Sequence, residues 1–144
     1  MSVVHDRLDP ASRLRAAGLR VTRPRLMVLE VLADHPHVSA DHVRALLDEV
    51  EDHTVSRQAV YDVLHALTDA GLVRSMLVGT RALYELDLLD NHHHLLCRQC
   101  GALADVPCAV GHAPCLQPSD TQGFTVQTAD VTYSGLCATC STTT

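Results

Sequence analysis

The sequence predicts an α+β chain of two modules, a larger helical one and then a smaller one rich in histidine and cysteine. Three observations predict it. Between Pro10 and Leu86, helical periodicities give way to two short β-rich runs around Gly79-Thr80. From Asn91 the chain reads Asn-His-His-His-Leu-Leu-Cys-Arg-Gln-Cys, and Cys137-Ala-Thr-Cys140 follows later, so two Cys-x2-Cys pairs and three imidazoles gather in the last third. Charge divides the same way: Arg7, Arg13, Arg15, Arg20, Arg23 and Arg25 crowd the start, opposed there only by Asp9, while beyond Arg81 the only base is Arg98.

A chain of 144 residues can bury one ordinary core or two small ones. With one Phe and no Trp, those cores are built from Leu, Val and Ala, and stacking on single-stranded nucleic acid is a poor fit. The formal charge of −6 does not exclude duplex DNA, because it averages a basic head with an acidic tail. Met1 to Pro10 holds no apolar leader and no run approaches a membrane span, so a cytoplasmic protein without a membrane partner is expected. In that reducing compartment, paired Cys-x2-Cys motifs read as a metal site and not as disulfides.

Taken in order, Pro10 opens a short helix with Leu14 and Ala17 inward, and Gly18 stops it. Thr22 is placed to cap a second helix, with Pro24 in its first turn, running to about Ala33 before Asp34-His-Pro-His37 breaks it. Ser39 caps a third, favoured by Asp41 at its N-terminus, with Val43, Leu46, Leu47 and Val50 at i, i+3, i+4, i+7. Glu51 to Thr54 is a turn. Ser56 caps a fourth helix with Val60, Val63, Leu64 and Leu67 inward, and Gly71 ends it; Arg57, Gln58, Tyr61, Asp62 and His65 share the other face, which in an isolated helix would be solvated surface.

Leu72–Val78 and Ala82–Leu86 then form a hairpin. Helices followed by a hairpin is the winged helix-turn-helix order, in which the helix before the wing, here Ser56 to Ala70, enters the DNA major groove. The domain reading is therefore 1–85 for a winged-helix DNA-binding domain, 86–91 for a hinge and 92–144 for a metal-binding domain. In the last, Gly101–Val106 starts a strand, Phe124–Tyr133 has the β-branched content of a long one, and Pro107, Pro114 and Pro118 break any helix between them. Thr142 to Thr144 is a loose tail.

Four thiolates, Cys97, Cys100, Cys137 and Cys140, can close a tetrahedral Zn2+ shell with no open position, a structural site, and Gly101 relieves the tight bend after Cys100. His92 and His94, one residue apart, can point to one side of a strand as a second ligand pair. His5, His35, His42, His53 and His65 read as solvated side chains. Cys108 and Cys115 read as buried thiols, with a redox role or an additional metal beside His93 or His112 as the alternatives.

Leu19–Arg25, His37–Ala40, Ala59–Leu64, Gly71–Val73, Tyr84–Leu86, His92–Cys100 and Cys137-x2-Cys140 together resemble the ferric uptake regulator (Fur) superfamily of metal-dependent bacterial repressors, over nearly the whole chain and in family order. Val55–Leu67 is most similar to its actinobacterial FurA branch, which is linked to peroxide response and catalase-peroxidase control. The resemblance implies a homodimer bound to a double-stranded DNA operator, with residues 92–144 as a small α/β, zinc-stabilised dimerisation domain and no catalytic residues. It implies a regulatory Fe2+ or Mn2+ held by His37, Glu85, His92, His94 and Asp105. Arg57, Gln58 and Tyr61 match recognition-helix positions, and Arg20 a basic position that in relatives approaches the minor groove.

Asp105 stands where iron-responsive members commonly carry Glu and the peroxide-sensing branch carries Asp, which points to oxidation of a histidine ligand as the release step; oxidation of cysteines with zinc loss is the other route. A further family metal site maps to Asn91, His93, His112 and Ala129 and is expected to be absent or weak. Two other functional readings stay open on the residues: a repressor sensing zinc, manganese or nickel, and, in a different class, a non-haem iron oxygenase using His92, His94 and a carboxylate, with a zinc-stabilised protein adaptor as a third.

Overall fold

The structure is a computed structural model that describes residues 9–50, 55–88, 92–107, 117–127 and 129–142. The chain divides into two compact units, Met1–Leu88 and Leu89–Thr144.

In the first unit, helices α1 (Pro10–Ala16), α2 (Arg23–Asp34), α3 (Ala40–Val50) and α4 (Arg57–Asp69) precede strands β1 (Val73–Val78) and β2 (Arg81–Leu86). The caps explain the boundaries. Asp9 accepts from the Ser12 amide at 3.3 Å, Ser39 Oγ from His42 at 3.2 Å and Ser56 Oγ from Ala59 at 3.1 Å, each satisfying an orphan amide of a first turn. Thr22 occupies the N-cap of α2 but its hydroxyl makes no capping bond; Pro24, whose missing N–H costs nothing in a first turn, sets that start instead. Gly18 and Gly71 both have φ of 74°, and each closes a Schellman motif: Leu19 donates to Leu14 at 2.9 Å and Leu72 to Leu67 at 3.0 Å.

The predicted apolar faces pack together. Leu14, Leu29, Leu32, Val43, Val60, Leu64 and Leu67 are buried in one core, with Leu72, Val73 and Leu86 from the hairpin closing it. Val50, expected inward, is 71% exposed, because the last residue of α3 runs past the end of the core; Leu46 and Val63 are half-buried. Leu64 is fully buried, so Leu64→Ala is expected to destabilise this unit by about 2–5 kcal/mol, read as a lower urea midpoint.

The hairpin pairs β1 and β2 antiparallel from Val73↔Leu86 to Val78↔Arg81. Its two-residue turn places Gly79 at φ 64°, the left-handed position that a type II′ turn requires. The described part of the expected hinge begins only after Leu86, which belongs to β2.

The second unit holds strands β3 (His92–Cys97), β4 (Leu103–Pro107) and β5 (Thr132–Gly135) and the single-turn helix α5 (Ala138–Ser141). Its sheet has the order β4-β3-β5, with β3 antiparallel to β4 and parallel to β5. The long strand expected over Phe124–Tyr133 is not formed. Phe124 donates to Thr121 at 2.9 Å across a turn whose Gln122 and Gly123 have φ of 49° and 81°; among the described residues of that stretch, Thr132 and Tyr133 join β5 and the Val131 carbonyl accepts from the His94 amide of β3 at 3.1 Å. β-Branched content favours a strand only where a neighbour exists to pair with. The strand expected from Gly101 begins two residues later, since Gly101 (φ 78°) completes the preceding turn. Thr142, expected in a loose tail, is the C-cap of α5. Cys108, Cys115, His112, Pro114, Asn91 and the turn at Glu51–Thr54 lie outside the described residues.

Candidate metal centres and nucleic-acid interface

The four cysteines come together within the second unit. Cys97 closes β3; the Gly101 amide donates to its carbonyl at 3.0 Å and its own amide donates to Ala102 at 2.8 Å, which curls Cys100 back over it. Arg98 donates to the Gly135 carbonyl at 2.8 Å, tying this turn to the end of β5, so that Cys137 and then Cys140 on α5 arrive from the other side. All four Sγ atoms lie within 4.8 Å of one another, and Cys100 and Cys137 are 3.8 Å apart. A disulfide needs about 2.05 Å. Four sulfurs around Zn2+ at about 2.3 Å would stand about 3.8 Å from each other, so the donor set and its spacing fit that ion.

Amide hydrogen bonds from Cys100 and Cys137 pull the Cys97 thiol down to about 6, while hydrogen bonding to Cys137 and burial push Cys140 up to about 12. Cys97 forms its thiolate readily, while the neighbouring sulfurs and burial resist charge on Cys140. A divalent ion removes that resistance.

The histidines and carboxylates form two groups, one in each unit. In the first, His37 Nε2 lies 2.9 Å from Glu85 Oε2, and Glu85 is buried with Arg74 Nη1 4.0 Å from its other oxygen. His37 is placed by its backbone: it has φ 61°, left-handed for a residue with a Cβ, and Val38 immediately after it is pinned to β2 by paired bonds with Tyr84 of 3.2 and 2.8 Å. In the second, His92 and His94 project from one face of β3 with ring centroids 5.1 Å apart. Asp105 on β4 sits directly across from His94, its Oδ1 3.4 Å from His94 Nε2 and 3.9 Å from His92 Nε2. Imidazole nitrogen with carboxylate oxygen suits Fe2+, Mn2+ or Zn2+.

His93 points the other way and is buried, its Nδ1 accepting from the Val131 amide at 3.3 Å, a role in holding the sheet that the sequence reading missed. Arg74 was missed as well. A two-residue turn at Gly79-Thr80 fixes Arg74↔Glu85 as cross-strand neighbours, so the signal was present in the hairpin register.

On α4, Arg57, Gln58 and Tyr61 are all exposed on one face, with the Arg57 guanidinium 5.7 Å from the Tyr61 ring centre. Arg20 is exposed just before α2, and its carbonyl accepts from Arg25 Nη1 at 2.7 Å. Among the described residues no helix is long and apolar enough to cross a membrane.

Comparison with known proteins agrees with these features. A family model described as the ferric uptake regulator family matches residues 16–134. The transcriptional regulator FurA of Mycobacterium tuberculosis is 56% identical over 135 residues, covering 92% of this chain and 90% of that protein. Ferric uptake regulation protein 1 of Mycolicibacterium fortuitum is 55% identical over 130 residues, 89% of this chain and 80% of that one. The ferric uptake regulator of Pseudomonas aeruginosa, solved with manganese, superposes with a TM-score of 0.68 at 27% identity, covering 90% of this chain and 98% of that one.

Proposed function

Because the chain belongs to the ferric uptake regulator family, whose members are transcriptional regulators and not enzymes, we propose that it is a homodimeric cytoplasmic repressor whose DNA binding depends on Fe2+ or Mn2+ and is relieved by peroxide. The oxygenase alternative falls with that membership. The observation that carries the reading is the pair of imidazole–carboxylate groups, His37 with Glu85 and His92 and His94 with Asp105. An ion that binds these groups and favours the DNA-competent conformation shifts the population toward it. The manganese in the Pseudomonas relative is in keeping with this donor set.

Zn2+ held by Cys97, Cys100, Cys137 and Cys140 supplies the fixed scaffold. An apolar stripe supports dimerisation: Leu95 and Tyr133, neighbours across β3 and β5, are 45% and 53% exposed, and Leu136 is 49% exposed. For DNA, α4 presents Arg57, Gln58 and Tyr61 to the major groove, and Arg20 reaches an adjacent narrow minor groove. Control of oxidative-stress genes such as a catalase-peroxidase follows from Asp105 and the likeness to FurA. The Fe2+ that these imidazoles and carboxylates would hold would supply the redox chemistry by which peroxide oxidises a histidine ligand such as His37 or His92. Loss of that donor frees the DNA.

The test is a mobility shift with a duplex from immediately upstream of the protein's own coding sequence, using zinc-loaded protein with Fe2+ or with Mn2+ and then peroxide. Release from the Fe2+ form alone is expected. Equal release from both forms would move the sensor to the cysteines, and no specific binding with either metal would overturn the repressor reading.

A further inference from the structure

Three polar side chains on the exposed face of α4, those of Arg57, Gln58 and His65, are each already engaged by a carboxylate. Arg57 Nε lies 3.3 Å from Asp41 Oδ1 on α3, Gln58 Nε2 donates to Asp62 Oδ1 at 2.8 Å, and His65 Nε2 lies 3.2 Å from Asp69 Oδ2. This is an unexpected surface to turn toward DNA. Between Arg57 and Asp69 the helix carries one permanent positive charge against two negative ones, so it adds little or nothing to attraction by phosphates.

The pairing has a geometric consequence. Asp41 approaches from a different helix and, together with the Tyr61 ring 5.7 Å away, restrains a guanidinium that would otherwise sweep widely. Asp62 takes one amide hydrogen of Gln58, which fixes which way the amide faces and leaves its oxygen and second hydrogen for a base edge. In the free protein the exposed Arg57–Asp41 pair contributes little to stability. Its effect lies in where the donors point when DNA arrives, and in the repulsion that a carboxylate meets from a phosphate.

Resting on the DNA-binding reading above, we propose that Asp41 and Asp62 are specificity-determining residues: they hold Arg57 and Gln58 toward base edges and repel the sugar-phosphate backbone, so that α4 binds weakly unless the bases match. Affinity for DNA in general is then left to Arg20 and its neighbours before and within α2, and discrimination to α4.

The experiment is fluorescence anisotropy of the metal-loaded full chain on the upstream duplex and on a scrambled duplex of equal length, over a range of salt. Wild type is compared with Asp41→Asn, Asp62→Asn and Asp41→Glu; the Asn changes keep size and remove charge. Both Asn variants are expected to bind scrambled DNA more tightly and to lose about five- to tenfold in discrimination. For Asp41→Asn the logarithmic salt slope should steepen by about 1, as the released guanidinium takes a phosphate. Asp41→Glu should restore wild-type discrimination. Equal loss on both duplexes would mark the carboxylates as merely structural and overturn the proposal, as would unchanged discrimination in both Asn variants. If wild type itself fails to prefer the upstream duplex, the DNA-binding reading falls and takes this one with it.

Discussion

Replacing Cys97 with serine is expected to abolish zinc binding and to unfold the second unit while leaving the first intact. Among the described residues of Leu89–Thr144, the buried set consists of His93, His94, Cys97 and Cys140, without a buried aliphatic side chain. Apolar burial as slight as that among the described residues does little to offset conformational entropy. Structural zinc in small domains contributes roughly 10–16 kcal/mol of apparent binding free energy, which is folding free energy where the site does not exist in the unfolded chain. Serine oxygen is a poor substitute for thiolate, and the three remaining sulfurs lose their closed shell. The first unit has its own core of Leu, Val and Ala and should keep its transition. The check is metal content by mass spectrometry together with urea unfolding followed by circular dichroism; one zinc per chain and a wild-type profile in Cys97→Ser would show that the sulfur cluster is not what holds this sheet.

The second large effect is expected at Glu85. Glu85→Gln keeps the shape of a buried side chain but removes the charge that faces His37 at 2.9 Å. Outer partners of metal ligands typically affect affinity by about 10- to 100-fold, so if Glu85 is the direct donor proposed above, its loss should weaken Mn2+ binding on the order of a hundredfold or more. Zinc content should not change. Mn2+ titration by calorimetry on zinc-loaded protein measures the loss. Unaltered Mn2+ affinity would make His37–Glu85 a structural pair and place the regulatory ion elsewhere.

Much of this was legible in the residues because the relevant physics is local. Ser39, Ser56, Gly18 and Gly71 announce helix ends through the orphan groups they satisfy, and the spacing of Val60, Leu64 and Leu67 announces which face is buried. Cys-x2-Cys spacing likewise carries its own geometry. What could not be read depends on partners distant in sequence. Val126 and Val131 look like strand residues, yet the ladder with β3 begins only at Thr132, just past the Val131 carbonyl that accepts from His94, and nothing in the composition says where a neighbour begins. Helix α5 is a single turn, too short for any periodicity to show. The left-handed backbone at His37 was equally hidden, since a non-glycine residue adopts it only when its surroundings insist.

The bridge between Val38 and Tyr84 bears on how a signal could leave His37. Upstream, the His35 amide is bonded to Val31 at 2.8 Å; downstream, Val38 is fastened to β2 on both its amide and its carbonyl, and Ser39 starts α3 by accepting from Val43 at 2.9 Å. The segment has no slack. Four residues past His37 comes Asp41, whose carboxylate grips Arg57 at the beginning of α4. A displacement of the imidazole therefore meets a segment held at both ends, and on the reading proposed above it bears on the position of Asp41 and, through it, of Arg57.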